Sequence, residues 1–159
     1  MAQLEYNQQS YKSPEDISKI LMDHGILYEH WGLRNPEEPT DASVLASYAN
    51  DISRLKKEKG YVEADMVALC PDTPGLSDIC NKFAREHHHT DDEVRFVVEG
   101  KGVFEIQDHS EKQFLKITTT PGDLIVIPAN RRHLFYLTEE QTIRCIRLFK
   151  DESGWEAHF

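Results

Sequence analysis

Cysteine is scarce in this 159-residue sequence: there are three, Cys70, Cys80 and Cys145, odd in number and widely spaced. They match neither a disulfide framework nor Cys-x-x-Cys zinc spacing, so a reduced, cytoplasmic setting is the expectation. Long apolar runs are also missing. Nothing approaches the ~20 residues of a membrane helix, and Met1–Tyr11 has no signal-peptide apolar core. Positive charge is outnumbered, with 18 Lys and Arg against 28 Asp and Glu, for a net charge of −10. That balance argues against nucleic-acid partners and against docking on anionic membranes; an anionic substrate would need local cations. There is no solenoid repeat, no low-complexity segment and no helix-turn-helix with a basic face. What is there is ordinary for a globular protein, 39% hydrophobic and 29% charged, and the length favours one domain with a real core.

The first half alternates helices with strands. Ser13-Pro14-Glu15-Asp16 combines an N-cap, a Pro at N1 and acids in the first turn, and Gly25 stops the helix after the stripe Ile17, Ile20, Leu21. Ile26–Trp31 reads as a short strand in which His24 and His30 have no ligand spacing, and Gly32–Pro39 as a loop. Thr40-Asp41 starts one long helix carrying Val44, Leu45, Tyr48, Ile52 and Leu55, closed by Lys56, Lys57, Lys59 and Gly60. A strand over Tyr61–Leu69, a turn at Pro71–Gly75 and a helical segment over Leu76–Phe83 follow. Beyond Glu93 come short β-runs separated by turns: Val94–Val98, Val103–Gln107, Phe114–Ile117, Leu124–Ile127, His133–Leu137 and Ile143–Phe149. This pattern predicts a mainly β fold, a small barrel with helices on its N-terminal side.

Between the halves lies Glu86-His87-His88-His89-Thr90-Asp91-Asp92-Glu93-Val94-Arg95-Phe96. On an extended chain, His87 and His89 share one face about 6–7 Å apart, and His88 points the other way. Glu93 has the same parity but would lie about 13 Å from His89 unless the chain bends at Thr90-Asp91-Asp92, which are turn formers. Arg95 is the next residue along that face. His133, after the turn signal Pro128–Arg132, is the best fourth ligand, so a metal site is expected. Arg147 shares a face with Ile143, Cys145 and Phe149, and must meet either a carboxylate or a bound anion. Phe135 follows His133 by two and lines a pocket or simply packs; Trp155 either caps the barrel mouth or packs. Cys145 reads as a small buried hydrophobe. Arg131 and Arg132 read as solvated turn residues.

The spacing resembles the cupin pattern: Glu93 with Gly100, then Gly122, Pro128 and His133. Asn130 stands where the second motif has Gly, Leu137 where it has Asn, and Asn81 where a Gly precedes the first histidine. A closer resemblance is to the acireductone dioxygenase family of methionine salvage. It rests on Glu86–Phe96 with Val98-Glu99-Gly100, on Ile127-Pro128-Ala129 through His133-Leu134-Phe135, on Arg147-Leu148-Phe149 with Gly154-Trp155, and on Lys59-Gly60-Tyr61. It covers nearly the whole chain; His88 is a departure, and the family usually runs on further than Phe159.

The resemblance implies a double-stranded β-barrel (jelly roll) in one cupin domain over 1–159: an N-terminal part to residue 83, a barrel core over 84–150 and a tail over 151–159. It implies His87, His89, Glu93 and His133 as ligands of one Fe(II) or Ni(II) per chain. Arg95 would generate or hold a substrate dianion, and Phe83, Phe135, Arg147 and Trp155 would lie near the substrate. Glu86 and Asp92 would serve metal incorporation or conformational transmission. The implied substrate is the enediol 1,2-dihydroxy-3-keto-5-methylthiopentene, with O₂ as partner; a monomer is the expected working unit, which no residue pattern fixes. Two other readings stand beside it: another cupin enzyme, such as a sugar-phosphate isomerase or a different dioxygenase, and a non-catalytic metal-binding cupin.

Overall fold

Two five-stranded antiparallel sheets build the protein, one ordered β2 (Gln9–Tyr11), β1 (Gln3–Tyr6), β7 (Phe114–Thr119), β6 (Gly102–Gln107), β9 (His133–Leu137), the other β3 (Leu27–His30), β8 (Asp123–Ile127), β5 (Glu93–Gly100), β10 (Ile143–Phe149), β4 (Glu63–Leu69). The computed structural model describes residues 2–34 and 36–159. The helices are α1 Pro14–Asp23, α2 Asp41–Ser47, α3 Ala49–Lys59 and α4 Leu76–Ala84. The expected mainly β fold is what the chain forms, and the first-half strands β1–β4 belong to the same two sheets as the second-half strands.

Alternation along β5 explains how one strand serves two environments. Val94 and Phe96 face outward into a core shared with Val44, Ile52 and Leu55 of α2 and α3. Val97, with Glu93 and Arg95 at the same parity, faces inward, where Val97 packs with Ile143 and Cys145. A third cluster joins Ile17 and Leu21 of α1 to Phe104, Ile106, Leu115 and Ile117 between the sheets.

Helix α1 follows its sequence signals: Ser13 caps it by accepting from the Asp16 N–H, and Gly25 leaves it with φ 76°. The single helix expected after Thr40 is instead two. The break is at Tyr48, where φ −111° and ψ 18° leave the helical region. Tyr48 is buried, its ring packs on Phe96 with centroids 4.6 Å apart, and its hydroxyl accepts from the Arg34 N–H and donates to the Gly32 carbonyl. These tertiary ties outweigh a helical propensity of a few tenths of a kcal/mol. The loop expected over Gly32–Pro39 includes Asn35, which lies outside the described residues. The β1–β2 hairpin has no counterpart among the sequence expectations. It turns on Asn7 (φ 51°) and Gln8 (φ 64°), positive angles taken without glycine.

Candidate metal centre

His87 and His133 are locked together by the backbone. Each donates its N–H to the other's carbonyl, at 2.9 and 2.8 Å, in an isolated antiparallel bridge. His88 pairs the same way with His158 and turns its ring to stack on it, away from the other histidines, as alternation requires. The chain then bends at Thr90-Asp91, as those residues favour, and enters β5 at Glu93. On the other side Pro128-Ala129-Asn130 turns β8 toward His133. Asn130 adopts φ 66°, the left-handed geometry a glycine would supply at that position, and donates its N–H to the His89 carbonyl. Asp92 ties the two turns: it accepts from the Ala129 N–H at 2.9 Å and from the Tyr61 hydroxyl at 2.7 Å.

These constraints bring one ring nitrogen from each of His87, His89 and His133 within 4.8 Å of one another, all three side chains buried. Glu93 joins them, its Oε2 3.1 Å from His133 Nε2 and its Oε1 3.6 Å from His89 Nε2. Each histidine uses Nδ1 on a backbone carbonyl: His87 on Arg85 at 2.7 Å, His89 on Glu156 at 3.0 Å, His133 on Arg131 at 2.8 Å. A carbonyl only accepts, so each Nδ1 carries a proton and, in the neutral ring, each Nε2 presents a lone pair. His89 Nε2, His133 Nε2 and Glu93 Oε2 are buried yet make no hydrogen bond. Stranded lone pairs of this kind are costly unless something cationic is shared among them, and imidazole with carboxylate suits a divalent first-row metal.

The electrostatics agree. Burial pushes the His87 and His89 imidazoles below their ordinary value, favouring the neutral, ligating form. Burial acts upward on Glu93, but the Arg95 guanidinium first, and His133 after it, hold its carboxyl well below the carboxylate range. For His133, burial acts downward and is outweighed by the Glu93 carboxylate, so its value is raised.

Beside this cluster lies a cavity of about 300 Å³. Its polar side is His87, Glu93, Arg95 and Arg147, and its apolar walls include Phe83, Ile79 and Phe135. Arg95 is aimed by Glu93 Oε1 at 3.2 Å and by the Val94 carbonyl at 3.0 Å. Arg147 meets a carboxylate, Asp65, as one of its two readings has it, and it also lines the cavity. Trp155 lies behind Arg147 rather than on the cavity wall, with the guanidinium 3.5 Å above its ring. Glu86 is on the surface, paired with Arg132 at 2.7 Å, and Arg131 donates to the His24 and Gln107 carbonyls. Arg131 is therefore tied to the backbone rather than solvated, whereas Arg132 is a surface turn residue paired with Glu86. Sequence reasoning missed Asp65, Ile79 and Phe104. Ile79 is four residues before Phe83 on one helical face, a signal that was available; Asp65 is disclosed only by strand register.

Against known proteins, the model of the ARD/ARD' family matches residues 5–157. The chain belongs to the ARD/ARD' family. An acireductone dioxygenase of Sulfurihydrogenibium sp. is 41% identical over 156 residues, covering 92% of this chain and 86% of that protein. One from Exiguobacterium sibiricum is 38% identical over 155 residues, 91% of this chain and 86% of that one. Among solved structures, the acireductone dioxygenase from Bacillus anthracis with a cadmium ion in its active centre superimposes with a TM-score of 0.90. It is 33% identical, and the match covers all of this chain and 98% of that one. ARD-family enzymes are metal-dependent dioxygenases that use Fe or Ni.

Proposed function

We propose that this chain is an acireductone dioxygenase whose metal is held by His87, His89, Glu93 and His133. It cleaves 1,2-dihydroxy-3-keto-5-methylthiopentene with O₂, giving formate and 4-methylthio-2-oxobutanoate with iron, or formate, carbon monoxide and 3-methylthiopropanoate with nickel. The observation that carries the assignment is the convergence of three buried imidazoles and one carboxylate, with unsatisfied lone pairs, at the side of a cavity.

His87, His89, Glu93 and His133 would hold Fe(II) or Ni(II), which would supply Lewis-acid chemistry there. The protein supplies the rest. Arg95, always cationic and fixed by Glu93 and the Val94 carbonyl, offsets the charge of the enediolate inside an acidic protein. Phe83, Ile79 and Phe135 form apolar walls that receive the methylthio end and exclude water from the electron-rich anion. Asp92 contributes by fixing the two turns that carry the ligands, and Glu86 by pairing with Arg132 next to His133. Trp155 acts through Arg147.

A sugar-phosphate isomerase would need spare cations, but Arg131 and Arg132 are engaged away from the cavity. The chain is proposed to act as one cupin unit over 1–159, as a cytoplasmic monomer. The first-half strands share both sheets with the second half, the cysteines are free, and no helix among the described residues is long and apolar enough to cross a membrane. The deciding experiment is O₂ uptake with product analysis, using apo-protein reloaded separately with Fe(II) or Ni(II) and a Glu93→Ala control. Metal-dependent uptake absent from the control supports the assignment. Metal binding without uptake above the spontaneous rate would overturn it.

A further inference from the structure

Arg147 reaches the cavity from β10, and directly across the β4–β10 pairing stands Asp65. The contact is two-pronged: Nε donates to Oδ1 at 2.9 Å and Nη2 to Oδ2 at 2.7 Å. Trp155 covers one face of the guanidinium, its ring 3.5 Å from the guanidinium carbon, and Trp155 is itself braced edge-on by Phe149, with centroids 4.5 Å apart. A planar guanidinium held along one edge by a carboxylate and on one face by an indole is restrained in rotation. Among the described residues Nη1 makes no hydrogen bond to the protein. The charge of Arg147 is matched by Asp65, so what the clamp offers the cavity is a directed N–H donor rather than a second free cation.

We propose that Asp65 is a positioning residue for the reaction, holding Arg147 so that Nη1 donates a hydrogen bond to an oxygen of the bound enediolate. The inference rests on the dioxygenase reading for the identity of the ligand; the clamp itself rests on the geometry. Asp65 lies outside the metal ligands and does not line the cavity, so its effect must pass through Arg147.

The sign of one kinetic effect separates positioning from simple charge. Asp65→Asn removes a negative charge beside the cavity. If Arg147 acted only as charge, an anionic substrate would then bind more tightly and KM would fall. If Asp65 aims Nη1, the amide offers one acceptor and one donor to two N–H groups, the clamp opens, and KM rises by roughly tenfold. Asp65→Glu keeps both oxygens and should recover most of that loss. A second readout needs no turnover. The Nε–H of Arg147 is assigned by its disappearance in Arg147→Lys, and its exchange with solvent should accelerate by about tenfold in Asp65→Asn. Metal content is measured in every variant and should not change. A raised KM, rescue by Glu and faster Nε–H exchange support the proposal. A KM that falls or stays put, or exchange unaltered by the substitution, overturns it. If the unaltered loaded protein consumes no O₂ with acireductone, the dioxygenase reading fails and with it the assigned ligand, while the exchange measurement still decides whether Asp65 positions Arg147.

Discussion

Arg95 and Arg147 face one another in the antiparallel pairing of β5 with β10, and both line the cavity. Like charges directly opposite on neighbouring strands repel. Each is therefore matched by its own carboxylate, Arg95 by Glu93 at 3.2 Å and Arg147 by Asp65 at 2.7 Å. The two pairs differ in what the carboxylate does besides. Glu93 is shared between Arg95 and the histidine cluster, so engagement of Glu93 by a cation leaves Arg95 the less neutralised of the two and the natural partner of substrate charge.

Arg95→Gln should accordingly lower kcat/KM by about 10²-fold, because an anion developing beside the metal loses its one incompletely matched counter-charge. Metal content should stay at one per chain, since none of the ligating atoms belongs to Arg95. Steady-state O₂ uptake with metal analysis of the same samples checks both halves. An unchanged kcat/KM would remove Arg95 from the reaction.

Residues 156–159 brace the segment that carries the histidine cluster. The Glu156 carbonyl fixes the His89 tautomer at 3.0 Å, His158 zips to His88, and the Phe159 ring lies 4.0 Å from the Arg85 guanidinium. Deleting 156–159 frees the His89 ring, and loss of such an outer hydrogen bond weakens metal affinity by roughly 10–100-fold. Competition against a chromophoric chelator reads this directly. Equal retention by the shortened and full proteins would show that the tail carbonyl does not orient His89.

The parts of this site that were legible in the sequence are those governed by local geometry. The two-residue period placed His87, His89, Glu93 and Arg95 on one face, and Thr90-Asp91 showed where the chain bends. His133 followed from a turn signal at the end of a strand. Parts governed by register were not legible. Nothing along β4 marks Asp65 as the partner of Arg147, because that contact exists only after Glu63–Leu69 pairs antiparallel with β10. Tyr48 misled for the same reason: its helical spacing is genuine, but long-range bonds to Gly32 and Arg34 decide its backbone. The β1–β2 turn escaped because Asn7 and Gln8 do what glycine usually does.

Gly102 sets how close β6 can approach a pocket wall. A Cβ at this position would lie 2.4 Å from the Phe135 ring and 2.8 Å from Ile143. Gly102→Ala should force both side chains to shift, destabilising the fold by about 1–3 kcal/mol and tilting Phe135 into the cavity. Thermal denaturation should show the loss, and KM for acireductone should rise while metal content holds. An Ala variant with unchanged stability would show that Phe135 yields without cost.

Cys145 lies against the cavity yet should be chemically silent. Burial pushes its thiol up to about 12; nearby Arg95 acts the other way without cancelling this. At pH 8 the thiolate fraction is then about one part in ten thousand, against roughly a quarter for an ordinary thiol. Native protein should therefore titrate two cysteines, Cys70 and Cys80, with a thiol reagent, and the third only after denaturation. The same shift has a consequence for stability. The folded-state value lies above the unfolded one, so the contribution is fully present below about pH 8.5. It declines as pH rises through that value toward 12, because the unfolded chain loses the proton first. Cys145→Ala should flatten the alkaline fall in stability relative to the unaltered protein over that interval. Three fast-reacting thiols in the native protein, or parallel alkaline profiles for the two proteins, would show that the Cys145 thiol is not held in an apolar site.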